Sequence, residues 1–228
     1  MKKVISVYLK SICEESTNAL NEKAVEVAYS TLTKAGVVAV PTDTIYGIAG
    51  LAQNNDVIDR IYRIKDRDKA KPIAICVSEI DEFYKWSKVT VPHSLLTDLL
   101  PGPVTVVFER SPALNNRLNP GTKLVGIRIP NNEFIRTVCR LCNSPLALSS
   151  ANISSETSCI SVEEFQHLWP SLDAVFDGGI LKETDPNRLG STVINLSVSG
   201  FYKIIREGCA FSNVKHILEN KYSLKEMT

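Results

Sequence analysis

The sequence predicts an α/β protein with a mixed β-sheet of at least seven strands and flanking helices. Three observations carry this. Short apolar runs of strand length alternate along the chain with segments whose apolar residues recur at helical spacing. Near the C-terminus, strand-like runs follow one another with only a turn between them, which calls for antiparallel neighbours. No Pro/Gly/Ser-rich linker, repeat or low-complexity segment interrupts the 228 residues, so they read as one domain.

In chain order, "NEKAVEVAYSTLTKAG" places Ala24, Val27, Ala28 and Leu32 on one helical face and ends at Gly36, a stop signal; the strand "VVAV" follows. "NDVIDRIYRIK" offers Asn55 as a cap, with Asp56 in the first turn and Val57, Ile58, Ile61 and Tyr62 on one face. Next come the strand "PIAICV", helices around "DEFYKW" and "HSLLTDLL", and the strands "VTVVFE" and "LVGIRI". "NEFIRTVCRLC" reads as a helix, "PLALSS" as a strand, and "SVEEFQHLW" as a helix opened by Ser161, its two glutamates at the positive end of the dipole. "DAVFD", "STVINLS" and "FYKIIRE" are strands, with "SVSG" as a turn, and "SNVKHILENKY" is a closing helix.

Composition excludes several classes. A formal net charge of +1 gives no global case for coating nucleic acid or a membrane surface. No apolar run approaches the roughly 18 to 20 residues of a membrane span. The start, "MKKVISVYLKSICEE", lacks the arginines and long apolar core of an import signal, so cytoplasmic residence is the default and a mitochondrial share stays open. A domain of this length buries about 70% of its unfolded surface and needs no staples. Its six cysteines, at 13, 76, 139, 142, 159 and 209, are spaced too irregularly for a disulfide framework. "CRLC" sits in a helix without a second CxxC or paired histidines, so its thiols read as buried ones before zinc or redox ligands.

Polar residues gather at five strand ends, where α/β sheets hold ligands. "AVPTDTIYGIAG" carries Thr42, Asp43, Thr44 and Tyr46; its hydroxyls suit a small zwitterion, and equally a turn closing the strand. "IKDRDKAKP" concentrates Lys65, Arg67, Lys69 and Lys71, either a phosphate clamp or a solvated loop. Arg128, between Ile127 and Ile129, faces solvent or a buried anion, and alternation favours solvent. "SSANIS" places Ser149, Ser150 and Asn152 after a strand, and "RLGSTVI" places Ser191 and Thr192 at the start of one, with Arg206 in "IIREG". There is no GxxxxGK[ST] or GxGxxG, no triad to assemble from the three histidines, and no metal cluster. The chemistry suggested is electrostatic: hold an anion, orient a nucleophile, stabilise charge at phosphorus.

Taken in order, "PTDTIYG", "KDR" with "KP", "LLPGPVT", "GIRIP", "SSANIS", "DGG", "GSTVI" and "IIREG" resemble the YrdC-like threonylcarbamoyl-AMP synthases, in the eukaryotic single-domain pattern. The resemblance covers roughly residues 20–218, leaving 1–19 as an N-terminal extension and 219–228 as a tail. It implies a twisted sheet with a concave electropositive cavity. It also implies an L-threonylcarbamoyladenylate synthase, a nucleotidyltransferase that uses ATP with Mg2+, L-threonine and bicarbonate or CO2 and releases pyrophosphate. The product would serve t6A formation at position 37 of tRNA through a separate threonylcarbamoyltransferase complex; direct tRNA contact is left open.

By the same resemblance, Thr44 meets threonine with Tyr46 shaping the pocket, Arg128 takes the threonine carboxylate and Ser191 lies beside it. Lys65 and Arg67 act on the ATP phosphates as the catalytic pair, Lys71, Ser150 and Asn152 face the nucleotide, and Arg206 lies beside ATP. No protein metal ligand is implied. Three departures stand out. Asp68 replaces a proline common after the arginine of the KxR pair, Cys76 stands where many microbial members have a threonine-contacting histidine, and no segment matches the C-terminal domain of longer members, leaving the N-terminal segment as the candidate lid. The rival readings are a non-catalytic nucleotide- or RNA-binding module on the same fold and, more weakly, the carbamoyl-transfer role of the related domain in hydrogenase-maturation proteins.

Overall fold

A computed structural model of the chain describes residues 3–6, 15–154, 156–181 and 187–227. Cys13 and most of the suggested N-terminal lid lie outside the described residues. The elements are β1 (Lys3–Ser6), α1 (Glu15–Thr33), β2 (Val38–Val40), β3 (Gly47–Leu51), α2 (Asn55–Ile64), β4 (Ala74–Cys76), α3 (Glu82–Trp86), β5 (Ser87–Lys88), α4 (His93–Leu99), β6 (Val104–Arg110) and β7 (Leu124–Arg128). They continue with α5 (Glu133–Cys142), β8 (Leu146–Ser150), a 3-10 helix (Glu163–Ser171), β9 (Ala174–Asp177), β10 (Thr192–Asn195), β11 (Phe201–Arg206), α6 (Phe211–His216) running into a π turn (Ile217–Lys221), and β12 (Lys225–Glu226).

All the described strands join one mixed sheet in the order β1-β9-β2-β3-β8-β4-β7-β6-β10-β11-β12, with β5 added beside β6. The pairs β4/β7, β6/β10 and β2/β9 are parallel, while β3/β8, β4/β8, β6/β7 and β10/β11 are antiparallel. Residues 3–6 and 225–226, from the segments set apart as extension and tail, supply its two edge strands.

Residue chemistry explains the local structure. The cap of α2 is Asn54, one residue earlier than expected: its side chain accepts the amide protons of Asp56 and Val57 at 3.0 and 3.2 Å. Val57, Ile58, Ile61 and Tyr62 then face the core, as their spacing predicts, each buried aliphatic side chain contributing about 1.5–3 kcal/mol. Asn132 caps α5 in the same way, and Asn143 ends it in the left-handed region at φ 46°. The helix expected from Ser161 begins at Glu163 and is a 3-10 helix broken at Phe165. Ser161 is not its cap; the Glu164 carboxylate instead reaches back to the Ile160 amide at 2.9 Å.

Strand alternation divides the sheet into two faces. Ile75, Val106, Phe108, Val125, Ile127 and Ala147 turn to one side and pack with α2, α3 and α4 residues in a single core. The other face is covered only in part, where Cys76, Leu146 and Leu148 meet Ile135, Val138 and Cys139 of α5, in a cluster that α1 completes. Beyond that cover, the same face forms a cavity.

Candidate functional site

The cavity measures about 610 Å3. Its floor is the uncovered face of the sheet: Gly47 of β3, Leu148 and Ser150 of β8, Ala74 of β4, Gly126 and Arg128 of β7, Thr105 and Val107 of β6, Val193 of β10. Gly126 keeps this floor low, since a Cβ there would stand 2.9 Å from the Thr105 methyl. Arg67, Lys71, Arg206 and Thr42 also line the cavity.

Arg128 is not on the solvent face that simple alternation favours. Alternation does turn it away from the core, but into the cavity, and it is only 7% exposed. Its Nη2 donates to a carboxylate oxygen of Asp43 and, at 2.9 Å, to the Thr44 hydroxyl. The Thr42 hydroxyl lies 3.1 Å from that of Thr44, accepts the Thr44 amide proton at 3.1 Å and donates to the Ile45 carbonyl at 2.7 Å. The "PTDT" turn is thus knotted internally and presents Asp43 and Thr44 to the arginine.

Tyr46 walls the cavity with its ring, which packs 5.5 Å from that of Phe165. Its hydroxyl donates to the Gly179 carbonyl at 2.7 Å and accepts the Gly178 amide proton at 2.9 Å, fixing the "DGG" turn. Burial drives its pKa far above the ordinary tyrosine value, so it serves as a shaped, neutral wall.

The charged loop is resolved residue by residue. Lys65 is buried, and its ammonium donates to the backbone carbonyls of Ser150 and, at 2.6 Å, Asn152. Burial, and next the charge of Arg67, lower its pKa to about 8. It is not among the residues lining the cavity. Asp66, in the left-handed region at φ 45°, turns the chain so that Lys65 points inward and Arg67 outward to the cavity. Arg67 is tied by its Nε to the Lys71 carbonyl at 3.0 Å and by its Nη2 to the Pro72 carbonyl at 2.8 Å. Asn152 donates both side-chain protons to the Ile153 and Glu156 carbonyls, each at 2.8 Å, and its Oδ1 is buried without a partner among the described residues.

On the far side, the Arg206 guanidinium donates to the Ser191 carbonyl at 2.8 Å and its hydroxyl at 3.1 Å. The Ser191 hydroxyl in turn lies 2.8 Å from that of Thr105. Burial first, then Arg128 and Arg67, lower the Arg206 pKa, which places three guanidiniums within mutual influence across the cavity. Thr105 stands in the quoted "LLPGPVT", yet nothing in the sequence marked its side chain as part of the site.

Cys76 lies under α5, fully buried, with its sulfur 3.6 Å from that of Cys139. The Cys139 thiol is held well above its ordinary value by Cys76 and by burial, and burial pushes Cys142 up to about 11. Cys139 and Cys142 are therefore held as thiols, not as the thiolates that metal or redox chemistry uses. Histidines 93, 167 and 216 do not line the cavity, and among the described residues no group of three His, Cys, Asp or Glu could hold a metal ion.

A partly covered mixed sheet whose open face collects arginines, lysine and hydroxyls defines a class of protein whose cavity has the charge and donors to hold an anionic small molecule. The chain belongs to the Sua5/YciO/YrdC family, whose model, described as "Telomere recombination", matches residues 30–208. It is 50% identical over 204 residues to the threonylcarbamoyl-AMP synthase of Mus musculus, covering 89% of this chain and 73% of that protein. Identity is 49% to the Homo sapiens protein of the same name, over the same shares. It is 31% to a putative threonylcarbamoyl-AMP synthase of Methanocaldococcus jannaschii, covering 90% of this chain and 93% of that one. The fold matches a crystal structure of P. abyssi Sua5 complexed with L-threonine at a TM-score of 0.81 and 23% identity, covering 99% of this chain but 62% of that one. It matches E. coli YciO at 0.76 and 22%, covering 92% and 97%. The chain therefore spans about three fifths of the P. abyssi protein and nearly all of YciO.

Proposed function

We propose that this chain is a threonylcarbamoyl-AMP synthase, a nucleotidyltransferase that joins L-threonine, bicarbonate and ATP and releases pyrophosphate. The observation that carries the reading is the convergence of Arg67, Arg128 and Arg206 on one cavity whose opposite walls differ in character. The curated relatives at about half identity bear this enzyme's name.

Threonine lies at the Arg128 end, its carboxylate on the guanidinium, with Thr44 and Ser191 as the hydroxyl partners and Tyr46 as the wall. The triphosphate lies between Arg67, Lys71, Ser150 and Arg206. Lys65 and Asn152 act on the nucleotide through the "SSAN" loop, which the lysine pins by two carbonyls. Mg2+ arrives as part of the MgATP substrate, where it would draw charge from the phosphate oxygens.

The bound threonine ammonium gives a proton to bulk water, and the neutral amine attacks bicarbonate, forming the carbamate C–N bond and releasing water. A carbamate oxygen then attacks the α-phosphorus in line, the O–P bond forms, and the bond to pyrophosphate breaks. No protein nucleophile is required. Fixed cations facing the phosphates stabilise the charge that builds on the leaving pyrophosphate without reorganising during the reaction. The product is a mixed anhydride, prone to hydrolysis, and a transferase acting on tRNA adenosine to form t6A is its consumer. The cytoplasm is the compartment in keeping with this role; no described helix is long and apolar enough to cross a membrane.

Pyrophosphate release tests the reading. It should require ATP, Mg2+, L-threonine and bicarbonate together, and serine should substitute poorly. Release unaffected by omitting threonine or bicarbonate would overturn it.

A further inference from the structure

We propose that Asp43 is a specificity-determining residue that makes the Arg128 end of the cavity accept a zwitterion, an α-amino acid bearing ammonium and carboxylate together, and refuse an anion of the same shape without the amine. The inference rests on the amino-acid subsite proposed above and deepens it.

The Asp43 and Arg128 side chains are 10% and 8% exposed, so their ion pair is one of buried charges. The guanidinium that is to receive a ligand carboxylate is already neutralised from within. A ligand that brings only a negative charge must share Arg128 with Asp43, and two carboxylates on one buried guanidinium leave a negative charge unmatched. Removing one partner of a buried pair is far costlier than keeping or replacing both. A ligand that also brings an ammonium group supplies the missing cation and balances the second carboxylate.

The unused atoms point the same way. The pair is joined through one contact, Nη2 to Oδ1. That leaves Arg128 Nε, a donor, and Asp43 Oδ2, an acceptor, both buried without partners among the described residues. These are the complements of a carboxylate oxygen and an ammonium proton. Among the described residues no Asp or Glu lines the cavity, and the charges that act across the cavity on Arg206 are the cations Arg128 and Arg67. Asp43, one hydrogen bond behind the cavity wall, is the carboxylate placed to answer a ligand ammonium. The Thr42 hydroxyl, bonded to both the Thr44 amide and the Ile45 carbonyl, holds the turn that aims it.

The test is calorimetric titration of the full chain, and of Asp43→Asn, with L-threonine and with (3R)-3-hydroxybutanoate, the same skeleton without the amine. The unaltered chain should prefer threonine by at least ~30-fold, the scale of stranding one member of a buried charge pair. In Asp43→Asn the preference should shrink to about threefold, with threonine weakened and hydroxybutanoate strengthened, because Arg128 has lost its internal competitor. A merely structural role would weaken both ligands alike. Equal binding of the two by the unaltered chain overturns the inference whether or not the variant folds, and so does an undiminished preference in a folded Asp43→Asn. Failure of the unaltered chain to bind threonine at all would overturn the proposed function and this inference with it.

Discussion

Arg67 and Lys65 stand two residues apart and do different work. Arg67 is held by two loop carbonyls and faces the cavity, so its removal takes a cation from the phosphates and little from the core. Arg67→Ala should lower the rate of pyrophosphate release at least ~100-fold while changing unfolding stability by less than about 1 kcal/mol. Steady-state assay beside a thermal melt checks both, and activity within a few-fold of the unaltered chain would contradict the role. Lys65 is a matter of pH. Its pKa falls from 10.5 to about 8 on folding, so between those values the unfolded chain holds a proton that the folded chain lacks. Its charge therefore opposes folding below about pH 8, and the penalty lifts as pH rises toward 10.5. The stability of the unaltered chain relative to Lys65→Met should rise from pH 8 to pH 10 in denaturant titrations; a constant difference would contradict the assignment. At this scale the sequence was legible in residue type more than in direction. The basic loop announced anion chemistry, but only the left-handed turn at Asp66 decides that Lys65 goes to backbone carbonyls and Arg67 to the cavity. An aspartate in that conformation leaves no periodic signal.

Among the elements, β7 shows how alternation can be right about a face and silent about what the face meets. Ile127 goes to the core and Arg128 to the opposite side, which is a cavity lined also by residues of β8 and β10 instead of open solvent. The strand β3, "GIAGL", was not anticipated: it is buried on both faces, so it lacks polar alternation, and two glycines weaken its β character. The asparagine pair before α2 left the cap ambiguous by one residue, since either side chain could accept the first amides. The motifs "GSTVI" and "IIREG" read together as one polar strand end, and the structure shows how they meet. A Cβ on Gly208 would lie 2.3 Å from the Thr192 amide nitrogen and 2.4 Å from the Ser191 carbonyl carbon, so the two backbones cross where no side chain fits. The Cys209 amide donates to the Gly190 carbonyl at 3.1 Å across that crossing. Gly208→Ala should lower stability by about 2 kcal/mol or more and raise KM by displacing Ser191 and Arg206. A variant as stable and as active as the unaltered chain would show that the crossing is slack.

For the molecule as a whole, a net charge of +1 conceals a local concentration of cations on one face of one sheet. The helices α1 and α5 cover the part of that face where Cys76 meets Cys139, and the remainder is left for ligands. Fold class and the mixed character of the sheet were readable from the order of apolar runs. The cavity was not, because it is made by which part of a face goes uncovered, a property of long-range packing that no local pattern encodes. The central claim is that this face joins bicarbonate, threonine and ATP into one product. The most direct measurement is mass spectrometry of the nucleotides formed when the chain is incubated with MgATP, L-threonine and 13C-labelled bicarbonate. The account predicts a threonylcarbamoyl-adenylate carrying the label in its carbamoyl carbon, formed in step with pyrophosphate. An unlabelled threonyl-adenylate, or pyrophosphate accompanied only by AMP under conditions where an added threonylcarbamoyl-adenylate standard survives, would contradict it.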